Sequence, residues 1–480
     1  MRSFKKYNWF LLFSFFLIAC GQIESENNEE QSEEKEEKQM EPIEEAAMNI
    51  ESSNVVIQDN VAIFPGPNSL TEVKIDTLGE EVPETKDEGE LPVMLTLTVG
   101  GSTLNTYGEI KVQGSSTARW PKKNWRFKFY ADEERTEKVR IQIGDSVPSH
   151  KWIAKAEWVD PTLLRNGVSF KLWEEMVQSR TEYPQYEVDN AWIGEDSMPE
   201  GTQTGAQGFP ETHPIHVKVN DEHYGISLLL MGHDRRNFNI DKENPNHIYM
   251  EFDARGGEDS TKTWEKFSAD GIGTWVDGYH PKNDDFTAEQ KEAVDTLGDV
   301  INGTQKNFEE EFDTHFDKTN MIDMLLFLEA IYDYDAVAQD AEMITYDLEK
   351  WYLLPWDKDT TFGMDWEADG LKEDSATDLL IDYEEENPTQ KPWFKTYHAF
   401  TPEVEARYAQ LRDEEVFSSF GLYQLTGDIT KKIPAEIWEA ERERWDEEGR
   451  PALDETSTSQ VISWFDERLE VLDKQFNYVP

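Results

Sequence analysis

The sequence predicts an α+β protein with two lobes, and three observations predict it. The first part of the folded body alternates apolar and polar residues between turn residues, which is strand patterning. Beyond about residue 285 the apolar residues recur at helical spacing, with one strand pair inserted. There is no internal repeat and no long Pro- or Ser-rich linker to divide the body further.

The folded body begins near Val55. From Leu91 to Phe129, VMLTLTV, GEIKVQG and NWRFKFY predict three strands. In the last of these Trp125, Phe127 and Phe129 face a core, while Asn124, Arg126 and Lys128 share the other face. DPTLLRNGVSFKLWEEMV predicts a helix with Asp160 as N-cap, Pro161 at the first helical position and Leu163, Leu164, Val168 and Leu172 as its stripe. HPIHVKVNDEHYGISLLLM predicts two strands around an Asn-Asp turn. TAEQKEAVDTLGDVI, KTNMIDMLLFLEAIYDYDAV and AEIWEAERERW predict helices, and EMITYDLEKWYLLPWD a strand pair. The expected division is a strand-rich lobe over 51–235 and a helical lobe over 236–480, together one domain.

At 480 residues the chain is long enough to bury a large core. Its net charge of -54 repels nucleic acid and anionic lipid, and serves equally well for solvation in a salty habitat. The N-terminus, MRSFKKYNWFLLFSFFLIAC, has basic residues before a short apolar run and reads as a secretory signal over 1–20. LIACG resembles a bacterial lipobox, which makes Cys20 the expected lipidation site; the alternative is an ordinary signal peptide. Residues 21–50 are glutamate-rich with hardly any aromatic or β-branched residues, so they predict a solvated tether. Cys20 is the only cysteine, which excludes disulfides, thiolate catalysis and cysteine-bound zinc from the body.

Chemistry concentrates in YDYDAVAQD and WYLLPWDKDTTFG. Asp335, Asp340 five residues later, and Asp357 after a hairpin match the needs of phosphoryl transfer. One carboxylate receives a hydroxyl proton, and two oxygen ligands hold a divalent cation on the phosphates. A solvated acidic loop is the alternative in so acidic a chain. A calcium loop is not supported, because Phe362 stands where the glycine is needed and Ala368 where the closing glutamate is. The chain has no H-E-x-x-H helix, no G-x-x-x-x-G-K-[ST] loop and no G-x-S-x-G elbow.

IKVQGSSTARWPKKNWRFKFY, WIAKAEWVDPTLLRNGVSFKLWEEM, HPIHVKVNDEHYGISLLLM and WYLLPWDKDTTFG, in that order over Ile110–Gly363, resemble the spore coat protein H family of CotH-type atypical kinases. The resemblance implies a divergent two-lobed protein-kinase-like fold that binds ATP with Mg2+ or Mn2+ and phosphorylates Ser or Thr of a protein. It makes Asp335 the catalytic base or orienter, and Asp340, Asp357 and Asp359 the metal ligands. It puts Gly114, Ser115 and Ser116 in a phosphate-covering turn, with Arg119 as a phosphate clamp and Lys123 or Lys128 as the active lysine. Glu174 or Glu175 is the expected partner of that lysine, Arg165 and Asn166 fix the lobe interface, and MGHDRRNFNID covers the base. Asp340 departs from the asparagine usual in kinases, which adds charge and calls for strong metal dependence.

Three functions follow: a membrane-tethered kinase outside the cytoplasm, a non-catalytic assembly protein of the cell or spore surface, or a metal-dependent phosphoester hydrolase. The anchor is separately testable. Cys20→Ala is expected to shed the protein from membranes on fractionation, and retention contradicts lipidation.

Overall fold

Apolar alternation carries the N-terminal half into strands, and their pairing closes a ring. The computed structural model describes residues 52–114, 117–144, 146–180, 210–241, 243–252, 279–281, 286–336, 341–367, 370–372, 374–383, 391–450 and 457–480. In chain order the strands are β1 (Ser52–Ser53), β2 (Val56–Gln58), β3 (Val61–Phe64), β4 (Thr71–Asp76), β5 (Leu91–Val99), β6 (Ser102–Gln113), β7 (Asn124–Tyr130), β8 (Arg140–Ile143) and β9 (Lys151–Lys155). Helix α1 (Arg165–Gln178) follows, then β10 (Thr212–Val219) and β11 (Glu222–Met231). The main sheet runs β1-β6-β5-β4-β10-β11-β9-β7, and β7 pairs back onto β6. Seven strands therefore form a closed barrel, which leaves none of those seven as a free edge. Every contact in the ring is antiparallel except β4 with β10.

The helical half contains β12 (Ile248–Phe252), β13 (Tyr279–Pro281), α2 (Ala288–Asn302), α3 (Gln305–His315), α4 (Lys318–Ile331), β14 (Ala341–Thr345) and β15 (Trp351–Pro355). Helices α5 (Lys391–Ala399), α6 (Thr401–Asp413), α7 (Ser419–Thr430), α8 (Ala435–Trp445) and α9 (Thr458–Gln475) complete it. Strands β12 to β15 make a separate sheet ordered β13-β12-β14-β15. The α+β class and the strand-to-helix change along the chain agree with the sequence. Among the described residues no helix is long and apolar enough to cross a membrane.

Two predicted details fare differently. The Asn-Asp turn forms as expected, with Asn220 at φ 50 and Asp221 at φ 69, the left-handed pair that a two-residue hairpin requires. Helix α1, by contrast, starts at Arg165 and not at Pro161, because Leu163 takes φ 58 and breaks the first turn. Asp160 still caps it: its carboxylate accepts from the backbone N–H of Leu164 at 3.0 Å and of Arg165 at 2.8 Å.

The two largest hydrophobic clusters do not follow chain order. Trp125, Phe127, Phe129, Trp152 and Ala154 fill the barrel, and they are joined by Trp445 at the end of α8. Helix α1 instead buries Val168, Leu172 and Trp173 against the helical half, beside Phe327 and Trp351. Beside Trp445, Glu441 enters the barrel wall fully buried. It accepts from Lys122 Nζ, Arg450 Nη1 and the Ile226 backbone N–H, each at 2.6 Å. Burial alone would raise this carboxyl, but Lys122 and Arg450 more than offset it and hold it low. Gly225 makes room, since a Cβ there would lie 2.8 Å from both Glu441 and Lys122. Removing Glu441 leaves two buried cations without their shared anion. Glu441→Ala is expected to cost about 3–5 kcal/mol in urea unfolding, whereas a loss under 1 kcal/mol would mean the wall relaxes freely.

Candidate active site

Strand alternation decides which lysine faces the aspartates. Trp152 and Ala154 point into the barrel, so Ile153 and Lys155 point out of it. On that outer face Trp356, one residue beyond β15, packs against Ile153 and Leu230. The contact sets the next residues against Lys155. Its ammonium bonds Asp357 Oδ1 and lies 3.7 Å from Asp359 Oδ2. Asp357 sits at φ 49, a left-handed conformation that a non-glycine residue adopts only where its surroundings enforce it.

The other acids arrive from the end of α4. Tyr332 closes that helix at φ 51 and turns the chain back. Asp333 is wholly buried and pairs with Lys358 Nζ at 2.7 Å. Asp335 accepts a 3.0 Å hydrogen bond from Thr360 Oγ1. The segment 357–361 is thus held on one side by α4 and on the other by the start of α1. Asn166 accepts from the Lys358 N–H at 2.6 Å and donates to Glu157 Oε1 at 3.0 Å. Arg165 donates to the Thr361 carbonyl at 2.9 Å and to Gln460 at 2.8 Å.

The electrostatics follow from crowding. Burial and Asp333 push Asp335 up to about 6. Burial pushes Asp359 up to about 7; Lys155 opposes this, while Asp357 and Asp335 reinforce it. Burial would also raise Asp357, but Lys155 beside it holds its carboxyl below the usual range. Burial works against the charge on Lys155, yet Asp357, Asp359 and Glu157 hold it above the ordinary lysine value.

A small cleft opens beside these groups, lined by Thr117, Trp120, Lys122, Asn124, Glu157, Trp158, Val159 and Asp359. Its roof is Thr117, against which Gly114 lies at the end of β6. Gly114 has φ 95, and a Cβ there would lie 1.9 Å from Thr117 Oγ1, so this position admits only glycine. Asn124 ties the roof to the floor by donating to Thr117 Oγ1 at 3.1 Å and accepting from the Ala156 N–H at 2.6 Å.

The sequence-predicted residues divide accordingly. Asp335, Asp357 and Asp359 come together, and Gly114 lies against Thr117, which lines the cleft. Ser115, Ser116 and Asp340 lie outside the described residues. Both candidate lysines make their contacts away from Asp357 and Asp359. Lys128 is level with Lys151, at the far end of β9 from Lys155, and pairs with Glu90 at 2.8 Å and Glu109 at 3.6 Å. Lys123 donates to the Ala118 carbonyl at 3.2 Å and lies 3.5 Å from Glu84. Arg119 stacks 4.4 Å over Trp120 and 5.3 Å from Trp366. Glu174 accepts from Gln178 at 3.2 Å, whereas Asp357, Asp359 and Glu157 surround Lys155. Sequence reasoning missed Lys155, Glu157 and Asn124. The available signal was KWIAKAEW, where charge interrupts an otherwise apolar strand end. In MGHDRRNFNID, His233 stacks 3.7 Å from Trp356 and bridges Glu342 at 2.6 Å and Glu251 at 2.8 Å.

A family described as CotH kinase protein matches residues 110–472, which takes in β7, β9, the residues that line the cleft and Asp333, Asp335, Asp357 and Asp359. The chain belongs to that family. No curated protein matches it. Membership bears out the resemblance read from the four segments. Among the described residues of this CotH-family chain, no group of three or more His, Cys, Asp or Glu side chains is arranged to hold a metal ion. Asp357 and Asp359 nevertheless offer carboxylate oxygens, the donors that suit magnesium or manganese, and a cation would relieve the crowding that raises Asp359.

The raised Asp359 carboxyl has a stability consequence. Its folded form holds the proton more tightly than the unfolded chain does. The cost of ionising it therefore grows as pH rises from its ordinary value of 3.8 to about 7, and is fully present above that. Without added cation, Asp359→Asn should gain stability relative to the parent between pH 5 and pH 7, by at most about 1.4 kcal/mol per pH unit. Thermal melts at both pH values measure this, and a gap that does not change with pH would contradict it.

Proposed function

We propose that this CotH-family protein is a lipid-anchored phosphotransferase outside the cytoplasm, with a divergent two-lobed kinase-like fold. It moves the γ-phosphoryl group of ATP to Ser or Thr hydroxyls of a protein, with Mg2+ or Mn2+ as cofactor. The observation that carries the reading is Lys155 held against Asp357 and Asp359, with Asp335 alongside and a cleft beside them. Family membership supports it, since the family is described as kinase.

In this reading Asp335, the partly accessible acid of the pair at the end of α4, orients the acceptor hydroxyl and receives its proton as the new O–P bond forms. Asp333, locked to Lys358, is a positioning residue for the loop. Asp357 and Asp359 would hold the cation, which would supply positive charge to offset that of the phosphates; the sequence expects Asp340 to join them. Lys155 bonds phosphate oxygens once they replace Asp357 as its anionic partner. The sequence expects the turn that opens at Gly114 to cover the phosphates.

Label from [γ-32P]ATP should enter the protein itself or a Ser-rich acceptor, and Asp335→Asn should slow this about 10²–10⁴-fold. Asp357→Ala and Lys155→Met should each abolish it, while Lys128→Met should leave it within a few-fold. Label released only as inorganic phosphate would favour a hydrolase, and no label transfer with no nucleotide-dependent rise in melting temperature would favour a surface assembly role.

A further inference from the structure

One carboxylate in the cleft has no place in the scheme above. Glu157 follows β9 by two residues and is only 2% exposed, yet it lines the cleft with Asp359. Its backbone takes φ 49, the left-handed region again. Two asparagines enforce this placement: Asn124 binds the Ala156 N–H, and Asn166 binds Glu157 Oε1 at 3.0 Å. Its second oxygen, Oε2, is buried and has no hydrogen-bond partner among the described residues. Leaving a carboxylate oxygen bare at such depth is costly, and costlier with a second carboxylate in the same cleft. The other charged groups nearby are engaged elsewhere: Lys122 with Glu441, Asp160 with Arg165, and Lys155 foremost with Asp357. The same Asn166 that fixes Glu157 also binds the Lys358 N–H, so Glu157 and Asp359 are registered through one amide. A hydrogen-bond donor from a ligand would satisfy Oε2 but leave the two carboxylates repelling each other. A hard divalent cation does both.

We infer that Glu157 Oε2 and Asp359 together form a divalent-cation position on the cleft side of Lys155, a ligand set drawn from the barrel as well as from the segment after β15. The inference builds on the proposed use of cations at Asp359. Its experiment reads cation binding alone, so its failure is distinguishable from failure of phosphoryl transfer.

The probe is Tb3+, a hard cation whose emission is sensitised by nearby tryptophan; Trp158 and Trp120 line the cleft. The full chain should show saturable sensitised emission that Mn2+ displaces. Glu157→Gln should raise the Tb3+ midpoint at least tenfold, and so should Asp359→Asn. Glu289→Gln, an exposed acid on α2, should leave it unchanged. If Glu157→Gln does not reach the parent circular dichroism, Glu157→Asp, which keeps the charge but withdraws the oxygen, should still weaken binding several-fold. A Tb3+ midpoint unaffected at Glu157, or shifted equally by Glu289→Gln, overturns the inference. A lost midpoint in Glu157→Gln upholds it even if no phosphate is transferred by the parent chain.

Discussion

The site depends on one buried ammonium among carboxylates. Lys155 stands on the outside of a closed barrel, with Asp357 and Asp359 brought to it by a strap from the helical half. Removing Lys155 leaves Asp357 and Asp359 uncompensated in a place water reaches poorly. The arrangement is therefore mutually conditional: the barrel supplies the cation, the helical half supplies the anions, and neither is satisfied alone. Trp356 makes the strap's position a packing matter as well as an electrostatic one, since it seats on Ile153 and Leu230 immediately before Asp357.

Around that contact the fold uses short polar side chains as gauges. Asn124 spans the roof and floor of the cleft, and Asn166 spans the floor and the strap. Arg165, fully buried, adds a third tie through Thr361 to Gln460 of α9. Each gauge is an amide with a donor and an acceptor, or a guanidinium with several donors, at fixed separations, so it sets distances more strictly than apolar packing does. Left-handed backbone at Glu157 and Asp357 is where these constraints converge.

Much of this was legible in the chain, and the rest has physical reasons for being hidden. Alternation in NWRFKFY assigned Trp125, Phe127 and Phe129 to the core correctly, and Asn220-Asp221 announced its hairpin, because both are local signals. The grouping of Asp335 with Asp357 and Asp359 was readable from their spacing around one hairpin. Ring closure was not, since β6–β7 and β4–β10 pairing depends on which distant strands meet. That closure is what sends Lys128 toward Glu90 and leaves Lys155 beside Asp357. The start of α1 was misplaced for a local reason of a different kind: Asp160 and Pro161 look like a helix opening, but Leu163 breaks away from it.

Lys122 and Glu441 are 319 positions apart, yet they meet in the wall that backs the cleft. A ribosome must therefore make nearly the whole polypeptide before that wall can be completed, and the entropic toll of closing so wide a span falls late in maturation. Nascent or C-terminally clipped chains would hold Lys122 without its counterion and an unfinished cavity. Assembly order alone would keep such fragments from working on whatever they meet first.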